Sequence, residues 1–225
     1  MRKDNKELEE LVNFLISVGE LKDKKRRGWE LREVKNSETI AAHTFRTTIM
    51  AWVLGKKKKL DANKILKMSL IHDICEVYAG DTTPYDKILP KNKKDLRKLI
   101  NKWPRLSKKE KERNFREKYK KEKKALEKIT SRLSPALRRE MKQLWNDYEK
   151  GITQEGRFVR QLDRLENLLQ ALEYWKRGEK FMIEPWWIQI KELVDDPILL
   201  DFMKILDKKF HKGKNKKISI QKNRE

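Results

Sequence analysis

The sequence predicts an all-α fold, and three observations favour it. Apolar residues recur at the three- and four-residue spacing of a helix along most of the chain. No segment shows the period-two alternation of a strand, and no hairpin signal or internal repeat is present. Glycines also stand where several periodic segments end, at Gly55, Gly80 and Gly178, which is the usual place for a helix stop.

The predicted helices follow one another along the chain. The first covers residues 6–20, where five apolar residues share one face: Leu8, Leu11, Val12, Leu15 and Val18. Ser37 is placed to cap a helix that runs to about Leu54, and Asp61 a helix that runs to Ala79. The basic stretch 91–124 has helical character, interrupted by Trp103-Pro104. The remaining helices are predicted at 135–149, 155–177, 184–194 and 197–210.

The charge of the chain is concentrated in two segments. The 57 basic and 35 acidic residues give a formal net charge of +22, of which residues 87–124 carry +13 and residues 208–225 carry +7. We therefore expect one domain at 1–211 with a basic helical insertion at about 91–117, followed by a loose basic tail at 212–225. Such segments can bind nucleic acid or other phosphate-rich ligands. A solvated helix face and a loose tail are the alternative that we favour.

Cysteine content and hydropathy indicate the compartment. Cys75 is the only cysteine, so no internal disulfide can form, which fits a reducing compartment. We expect Cys75 to be a small buried core residue, although a thiol can also ligate a metal. No apolar run approaches the roughly 20 residues that a membrane span needs. The N-terminus is polar, unlike a signal peptide. We therefore expect a cytoplasmic protein without a membrane partner.

The chemistry-bearing residues cluster around His72-Asp73. Glu76 follows one helical turn later, and Asp81 comes directly after a glycine. One helix cannot surround an ion, so further ligands must come from other helices. His43, beside two alanines, offers the second nitrogen, and Asp163 offers an oxygen among apolar neighbours. The pattern predicts a metal site with two histidines and two aspartates.

Each candidate residue also has an explanation that needs no metal. His43 can be a satisfied core residue, because most single histidines on helices are. Asp163 can pair with Arg160 or Arg164, and Asp81 can bond its own loop backbone. We assign no role to His211.

Longer motifs strengthen the functional interpretation. The segments LKDKKRRGW, SETIAAHTFR, LIHDICEVYAGDTTPYD and RFVRQLDRLENLLQALEY occur in this order. They resemble the HD-domain metal-dependent phosphohydrolases, in particular the 5′-deoxynucleotidase branch. The similarity covers roughly residues 8–90 and 125–178. The pattern H-D-x-x-E-x-x-x-x-G-D with an upstream S-E-x-x-x-x-H is fairly specific, whereas H-D alone is weak.

The resemblance implies a role for each of a small set of residues. The implied metal ligands are His43, His72, Asp73 and Asp163, and the implied catalytic carboxylates are Glu76 and Asp81. A phosphate-binding arginine is expected just before the tryptophan, and either Arg26 or Arg27 can fill that place. Trp29 is expected near the sugar, where it would help to exclude a 2′-hydroxyl. Mixed nitrogen and oxygen ligation favours one divalent ion among Co, Mn, Fe, Ni and Zn.

Two departures from the family pattern stand out. The family commonly has an acidic residue just before the first histidine, where this chain has Ala42, which bears on metal preference and rate. The basic stretch at about 91–117 is also longer than expected, and it bears on whether the substrate is an isolated mononucleotide.

The resemblance also suggests a homodimer. Trp186, Trp187 and Ile183 suit either an interface or the core.

The expected activity is hydrolysis of deoxyribonucleoside 5′-monophosphates to deoxynucleoside and phosphate. A small-molecule nucleotide is therefore the expected partner. One alternative keeps the metal site but changes the substrate to another nucleotide, with a phosphodiester or triphosphate group. A different class of protein, a basic helical protein that binds nucleic acid, is the other alternative. The basic tail lacks interleaved aromatic residues, which argues against specific stacking on RNA.

Overall fold

A computed structural model describes residues 3–83, 86–101 and 106–211, and these residues form an all-α fold, as predicted. The helices in the described ranges are α1 (Lys3–Gly19), α2 (Arg27–Glu30), α3 (Ile40–Gly55), α4 (Ala62–Ile71), α5 (Glu76–Ala79), α6 (Lys93–Ile100), α7 (Lys108–Thr130), α8 (Pro135–Lys150), α9 (Gln154–Lys176), α10 (Glu184–Leu193) and α11 (Pro197–His211). Short 3-10 helices lie at Glu20–Lys22 and Asp86–Ile88. Among these residues no strand forms, and one isolated bridge pairs Lys25 with Thr39.

Helix α9 lies at the centre of the fold. The side chain of Thr153 caps it by accepting a hydrogen bond from the Gly156 N–H at 3.2 Å. Helices α3, α4, α8, α10 and α11 all pack against it. Its fully buried leucines are Leu162, Leu165, Leu168 and Leu172. A polar side chain near the middle of α9 is therefore in the protein interior, where it needs a partner.

The start of α3 differs from the prediction. Thr39, not Ser37, caps this helix, because its extended backbone lets its hydroxyl oxygen accept from the Ala42 N–H at 3.2 Å. The prediction that Asp61 caps the next helix is confirmed, since its carboxylate accepts from the Lys64 N–H at 3.0 Å. Both caps define where the histidine-bearing helices begin.

The predicted continuous helix to Ala79 is wrong, because the chain leaves the α-helical path at residues 72–75. Helix α4 ends at Ile71 and α5 begins at Glu76. The intervening backbone bonds are three residues apart, from Ile74 to Ile71 at 3.1 Å and from Glu76 to Asp73 at 3.0 Å, which tightens the turn. Gly80 then ends α5 with a φ of +71°, a conformation that favours glycine.

The basic segment forms two helices, α6 and α7. Ser107 and Glu110 form a reciprocal capping box at the start of α7, and the C-terminal half of α7 packs on α5 and α8. The predicted interruption at Trp103-Pro104 and the predicted tail at 212–225 lie outside the described residues. No described helix combines the length and the hydrophobicity that crossing a bilayer requires.

Two groups of apolar residues have different surroundings. Trp186, Trp187 and Ile183 are buried in the main core, so the core alternative is confirmed for them. The predicted apolar face of α1 is instead largely exposed, with Leu8 at 60% and Leu15 at 57% of full accessibility. Phe14 of α1 is buried in the core, and Val18 packs against the same cluster.

Candidate metal centre and nucleotide pocket

Two imidazole rings meet in the protein interior. His43 comes from the first turn of α3, and His72 directly follows α4. Both are buried, and their Nε2 atoms lie 3.2 Å apart. The Nδ1 atom of His72 donates to the Ser69 carbonyl oxygen at 2.7 Å, and the Nδ1 atom of His43 donates to the Glu166 carboxylate. In the neutral rings, both Nε2 lone pairs therefore face each other, which is the arrangement of metal-binding histidines.

Two carboxylates complete this group. The Asp163 Oδ1 atom lies 3.2 Å from the His43 Nε2 atom, and the Asp73 Oδ2 atom lies 3.3 Å from the His72 Nε2 atom. Two ligands at about 2.1 Å from one ion are roughly 3.0–3.4 Å apart, so these spacings fit a shared divalent cation. Burial raises the pKa of Asp73, but His72 and Arg26 outweigh it and hold the pKa well below its usual range. His43, His72 and Asp163 are close enough to one another to hold one ion, and Asp73 lies beside them, so these residues fit the metal that the sequence suggested.

Charge balance shows what the cation replaces. Burial and the Arg26 guanidinium lower the pKa of His43, but the Glu166 and Asp163 carboxylates outweigh them and raise it to about 10. Without a cation, His43 is therefore protonated at neutral pH. A metal ion binds only the neutral ring, and the ion therefore takes the place of this proton.

Glu166 and Arg46 support His43 without belonging to the ligand group, which consists of His43, His72, Asp73 and Asp163. Glu166 is fully buried and binds the Nδ1 edge of His43 with one oxygen. Its other oxygen accepts from the Arg46 Nε atom at 2.8 Å. Glu38, His43 and Glu166 are also close enough to hold an ion. Because Glu166 is already paired with Arg46 and His43, we interpret this second group as support for the ring.

Glu76 and Asp81 lie beside the ligand group. Glu76 is buried, and among the described residues its Oε2 atom finds no hydrogen-bond donor. Burial and the Asp73 and Asp81 carboxylates raise the pKa of Glu76 well above its usual value, and the Arg26 guanidinium offsets this only in part. Asp81 accepts a hydrogen bond from the Arg27 backbone N–H at 2.8 Å. This hydrogen bond comes from the start of α2 and not from the loop of Asp81 itself.

The choice between the two arginines is made by side-chain direction. Arg26 points inward, and its guanidinium donates to the Asp73 Oδ2 atom at 2.8 Å and to the Asn167 Oδ1 atom at 3.1 Å. The Arg27 side chain is 41% exposed, and its Nε atom lies 3.8 Å from the Asp86 Oδ1 atom, away from the histidines. Arg26 is therefore the arginine that the structure brings to the centre.

A pocket opens beside Arg26. Trp29 lies in its wall, stacked on Trp186 with ring centroids 5.3 Å apart, and its indole N–H donates to the Glu38 Oε1 atom at 2.8 Å. Because the Trp29 ring is 2% exposed, it acts as a rigid wall. The pocket is also lined by Asp81, Thr82, Arg164 and Asn167. An aromatic wall with a few convergent polar groups suits a small polar ligand.

The structure also assigns positions to residues that the sequence interpretation passed over. Tyr148 donates to the Asp163 Oδ2 atom at 2.9 Å, and Asn167 donates to the Asp163 Oδ1 atom at 3.2 Å. Glu166 and Asn167 follow Asp163 at three and four residues, so all three share one face of α9. That spacing was a signal available in the sequence. Cys75 is buried among apolar residues, as predicted for a core residue.

The fold and this centre together define a class of protein: a helical protein with a buried two-histidine, two-aspartate centre beside an arginine-containing pocket. The HD-domain family model matches residues 18–193. The chain belongs to the HD-domain family.

Similar proteins agree with this assignment. The human protein named 5′-deoxynucleotidase HDDC2 is 35% identical over 164 residues, which span 73% of this chain and 68% of that protein. The Dictyostelium discoideum protein of the same name is 34% identical over 173 residues, 74% of this chain and 78% of its own length. A Magnetospirillum magnetotacticum crystal structure, described as a predicted metal-dependent phosphohydrolase, has a TM-score of 0.61 at 24% identity. It covers 92% of this chain and 97% of its own, and it shows the shared fold.

The support given by Glu166 can be tested by Glu166→Gln. We expect the affinity for a divalent ion to fall about 10- to 100-fold, because the His43 ring loses the carboxylate that orients it. Titration calorimetry with Co²⁺ or Mn²⁺ measures this. Glu173→Gln is the matched control, since Glu173 binds the same Arg46 at 2.7 Å but has no contact with His43 in the structure. Equal metal affinity in the two variants would contradict the assigned role.

The pKa of His43 predicts a pH dependence of metal binding. Below a pKa of about 10 the metal must displace the proton from His43, so affinity should fall by up to tenfold for each unit of decreasing pH in that range. Calorimetry at pH 7.5 in buffers of different ionisation enthalpy should show release of about one proton per ion bound. Metal binding without proton release at this pH would show that His43 is already neutral.

Proposed function

We propose that this chain is a metal-dependent phosphomonoesterase that hydrolyses deoxyribonucleoside 5′-monophosphates to a deoxynucleoside and phosphate. The observation that carries the proposal is the meeting of His43, His72 and Asp163, which are close enough to hold one ion, with Asp73 beside them and Arg26 joining Asp73 to the pocket. The names of the similar eukaryotic proteins, 5′-deoxynucleotidases, support the same reaction. The proposed cofactor is one divalent ion among Co, Mn, Fe, Ni and Zn.

The ligand group and Arg26 bind the substrate phosphate and neutralise its charge. The two histidines and two aspartates would hold a divalent ion, which would supply Lewis acidity to polarise the phosphoryl group and acidify water. Arg26 carries a positive charge, because the Asp81 and Asp73 carboxylates outweigh burial and raise its pKa. Its guanidinium neutralises a phosphate oxygen while it remains bonded to Asp73. The substrate phosphate is thus held between Arg26 and the ligand group.

The two remaining carboxylates move protons. Glu76 accepts a proton from the attacking water, since its raised pKa makes it a stronger base than an ordinary carboxylate and its Oε2 atom faces no donor. Asp81 lies in the pocket wall and delivers a proton to the leaving 5′-oxygen. In an alternative assignment Asp81 holds the attacking water. Trp29 packs against the sugar as a rigid wall, which leaves little room for a 2′-hydroxyl.

A substrate panel tests this function. Purified protein is assayed for phosphate release from deoxy- and ribonucleoside 5′-monophosphates with Co²⁺, Mn²⁺, Mg²⁺ or no metal. We expect metal-dependent release from the deoxynucleotides. Asp73→Ala should lose both metal and turnover, and Glu76→Gln should retain metal while its turnover falls about 10²- to 10⁴-fold.

Other results in this assay have distinct meanings. A Glu76→Gln protein that loses its metal would make Glu76 a ligand. Release of pyrophosphate from a triphosphate, or cleavage of a diester, without any release from monophosphates, would contradict the proposal in favour of another nucleotide reaction. Binding of nucleic acid without any hydrolysis would favour the nucleic-acid-binding alternative.

We propose that this protein is cytoplasmic, because its one cysteine is buried and unpaired.

We further propose a homodimer that buries exposed apolar stripes. Helix α3 exposes Phe45 at 70% and Val53 at 53%, and α1 exposes the stripe that includes Leu15. Ala41, one turn before Phe45, packs against the apolar cluster that contains Phe14 of α1, so both stripes border the same cluster. Exposed apolar surface of this extent is typical of protein interfaces.

Charge insertion tests the dimer. Sedimentation should give a dimer for the unaltered chain and for Ile205→Glu, an exposed apolar position on α11. Leu15→Glu and Phe45→Glu should give monomers, because a buried unpaired carboxylate opposes association. A monomeric unaltered chain, or dissociation by Ile205→Glu alone, would contradict this interface.

A further inference from the structure

Three arginines line the pocket, which is more positive charge than one phosphate requires. Arg26, Arg32 and Arg164 all contribute to the wall, and Asp81 is the acidic residue among the described lining residues. The excess matters because a 5′-monophosphate already has Arg26 and the ligand group as partners. The functions of the other two arginines follow from their contacts.

Arg32 has a structural role. Its guanidinium donates to the Gly28 carbonyl at 2.9 Å and to the Ile100 carbonyl at 3.2 Å, and it lies 4.1 Å from the centroid of a Trp186 ring. These contacts fasten the C-terminal end of α6 to the pocket wall. Arg32 therefore positions the basic segment instead of facing a ligand.

Arg164 has a different environment. Its side chain is 41% exposed, and its NH1 atom lies 3.7 Å from the Asp163 Oδ2 atom. Asp163 already accepts hydrogen bonds from Tyr148 and Asn167 and faces His43. A divalent ion at the ligand group would further compensate the Asp163 charge. The guanidinium of Arg164 then retains its positive charge for a ligand in the pocket.

Arg164 and Arg26 reach the pocket from different parts of the chain. Asn167, which binds Arg26, lies three residues after Arg164 on the same face of α9. Arg26 reaches the pocket from the segment just before α2, where Asp73 and Asn167 hold it, and Arg164 reaches the pocket from α9. Arg26 is thus held by two partners beside the ligand group, whereas the Arg164 side chain is 41% exposed in the pocket wall.

We propose that Arg164 binds a second phosphate of the substrate, attached on the 3′ side of the sugar. This inference rests on the proposed function and names its preferred substrate class: deoxynucleotides with a 5′-phosphate and either a 3′-phosphate or a 3′-phosphodiester. Hydrolysis breaks the bond between the 5′-oxygen and phosphorus and adds one water. It releases orthophosphate and a product that retains the 3′-phosphate group.

The basic helix α6 supports the 3′ placement. Arg32 ties α6 to the pocket, and the side chains of Lys93, Arg97 and Lys98 are 85%, 66% and 65% exposed. Arg97 and Lys93 contact Glu33, which neutralises only part of this charge. A substrate chain that leaves the pocket on its 3′ side thus meets a positively charged surface.

The experiment compares kcat/KM for four substrates at one salt concentration. They are thymidine 5′-monophosphate, thymidine 3′,5′-bisphosphate, the 5′-phosphorylated dithymidine dinucleotide and thymidine 5′-diphosphate. The unaltered chain should prefer the bisphosphate, the dinucleotide or both over the monophosphate by roughly tenfold, as for one charge-assisted hydrogen bond. In Arg164→Gln that ratio should approach one. Arg164→Lys should keep part of it, because it retains the charge.

Arg160→Gln is the matched control, since it removes a guanidinium from the same helix at a position outside the pocket lining. It should keep the full ratio. Preference for the bisphosphate alone identifies a terminal phosphate as the ligand of Arg164, and preference for the dinucleotide identifies a diester. Both results support the proposal.

Three results overturn the inference. Equal kcat/KM for the monophosphate and both 3′-substituted substrates shows that Arg164 binds no second phosphate. An Arg164-dependent preference for the 5′-diphosphate places the second phosphate on the 5′ side. A ratio that survives in Arg164→Gln assigns the preference to another residue. Absence of hydrolysis of every substrate overturns the proposed function as well, so the two failures are distinguishable.

Discussion

The buried charges on α9 are the constraint on which the rest of the site depends. Asp163 and Glu166 lie among fully buried leucines, where an unpaired carboxylate is strongly unfavourable. Each is satisfied by groups from other helices: Asp163 by Tyr148 of α8, and Glu166 by His43 and Arg46 of α3. These contacts hold α3, α8 and α9 in one arrangement, and they also orient the Nε2 atom of His43 toward His72 and Asp163.

The same network sets the chemistry of the neighbouring groups. Burial raises the pKa of Glu76 and the nearby carboxylates add to the effect, whereas Asp73 is kept ionised by His72 and Arg26. Two carboxylates three residues apart thus have opposite shifts. One is suited to bind a cation and the other to accept a proton, and the difference comes from the charges that each one faces.

Part of the excess positive charge of the chain lies beside the pocket. Most of the excess charge lies on α6, α7 and the C-terminal segment, yet one arginine, Arg32, connects α6 to the pocket wall. This connection places positive surface beside the nucleotide pocket instead of on a remote face. Charge distribution and pocket geometry therefore bear on the same question, which is how much of a nucleotide chain the protein recognises.

The sequence alone determined the helical fold and identified the histidines and the aspartates that meet. Helical periodicity and metal-ligand chemistry are local properties of residue type and spacing, so both are visible in the sequence. Only the tertiary structure decided that Arg26 and not Arg27 faces the centre, since the sequence does not distinguish two adjacent arginines at the start of a short helix. The break at 72–75 was also beyond the sequence. Its tightened turn is made by backbone bonds three residues apart, and it lies just before α5, which packs against α7. Glu166, the partner of His43, is distant from it in sequence. Their pairing becomes evident only in the fold, where both groups are buried and each charge needs a partner.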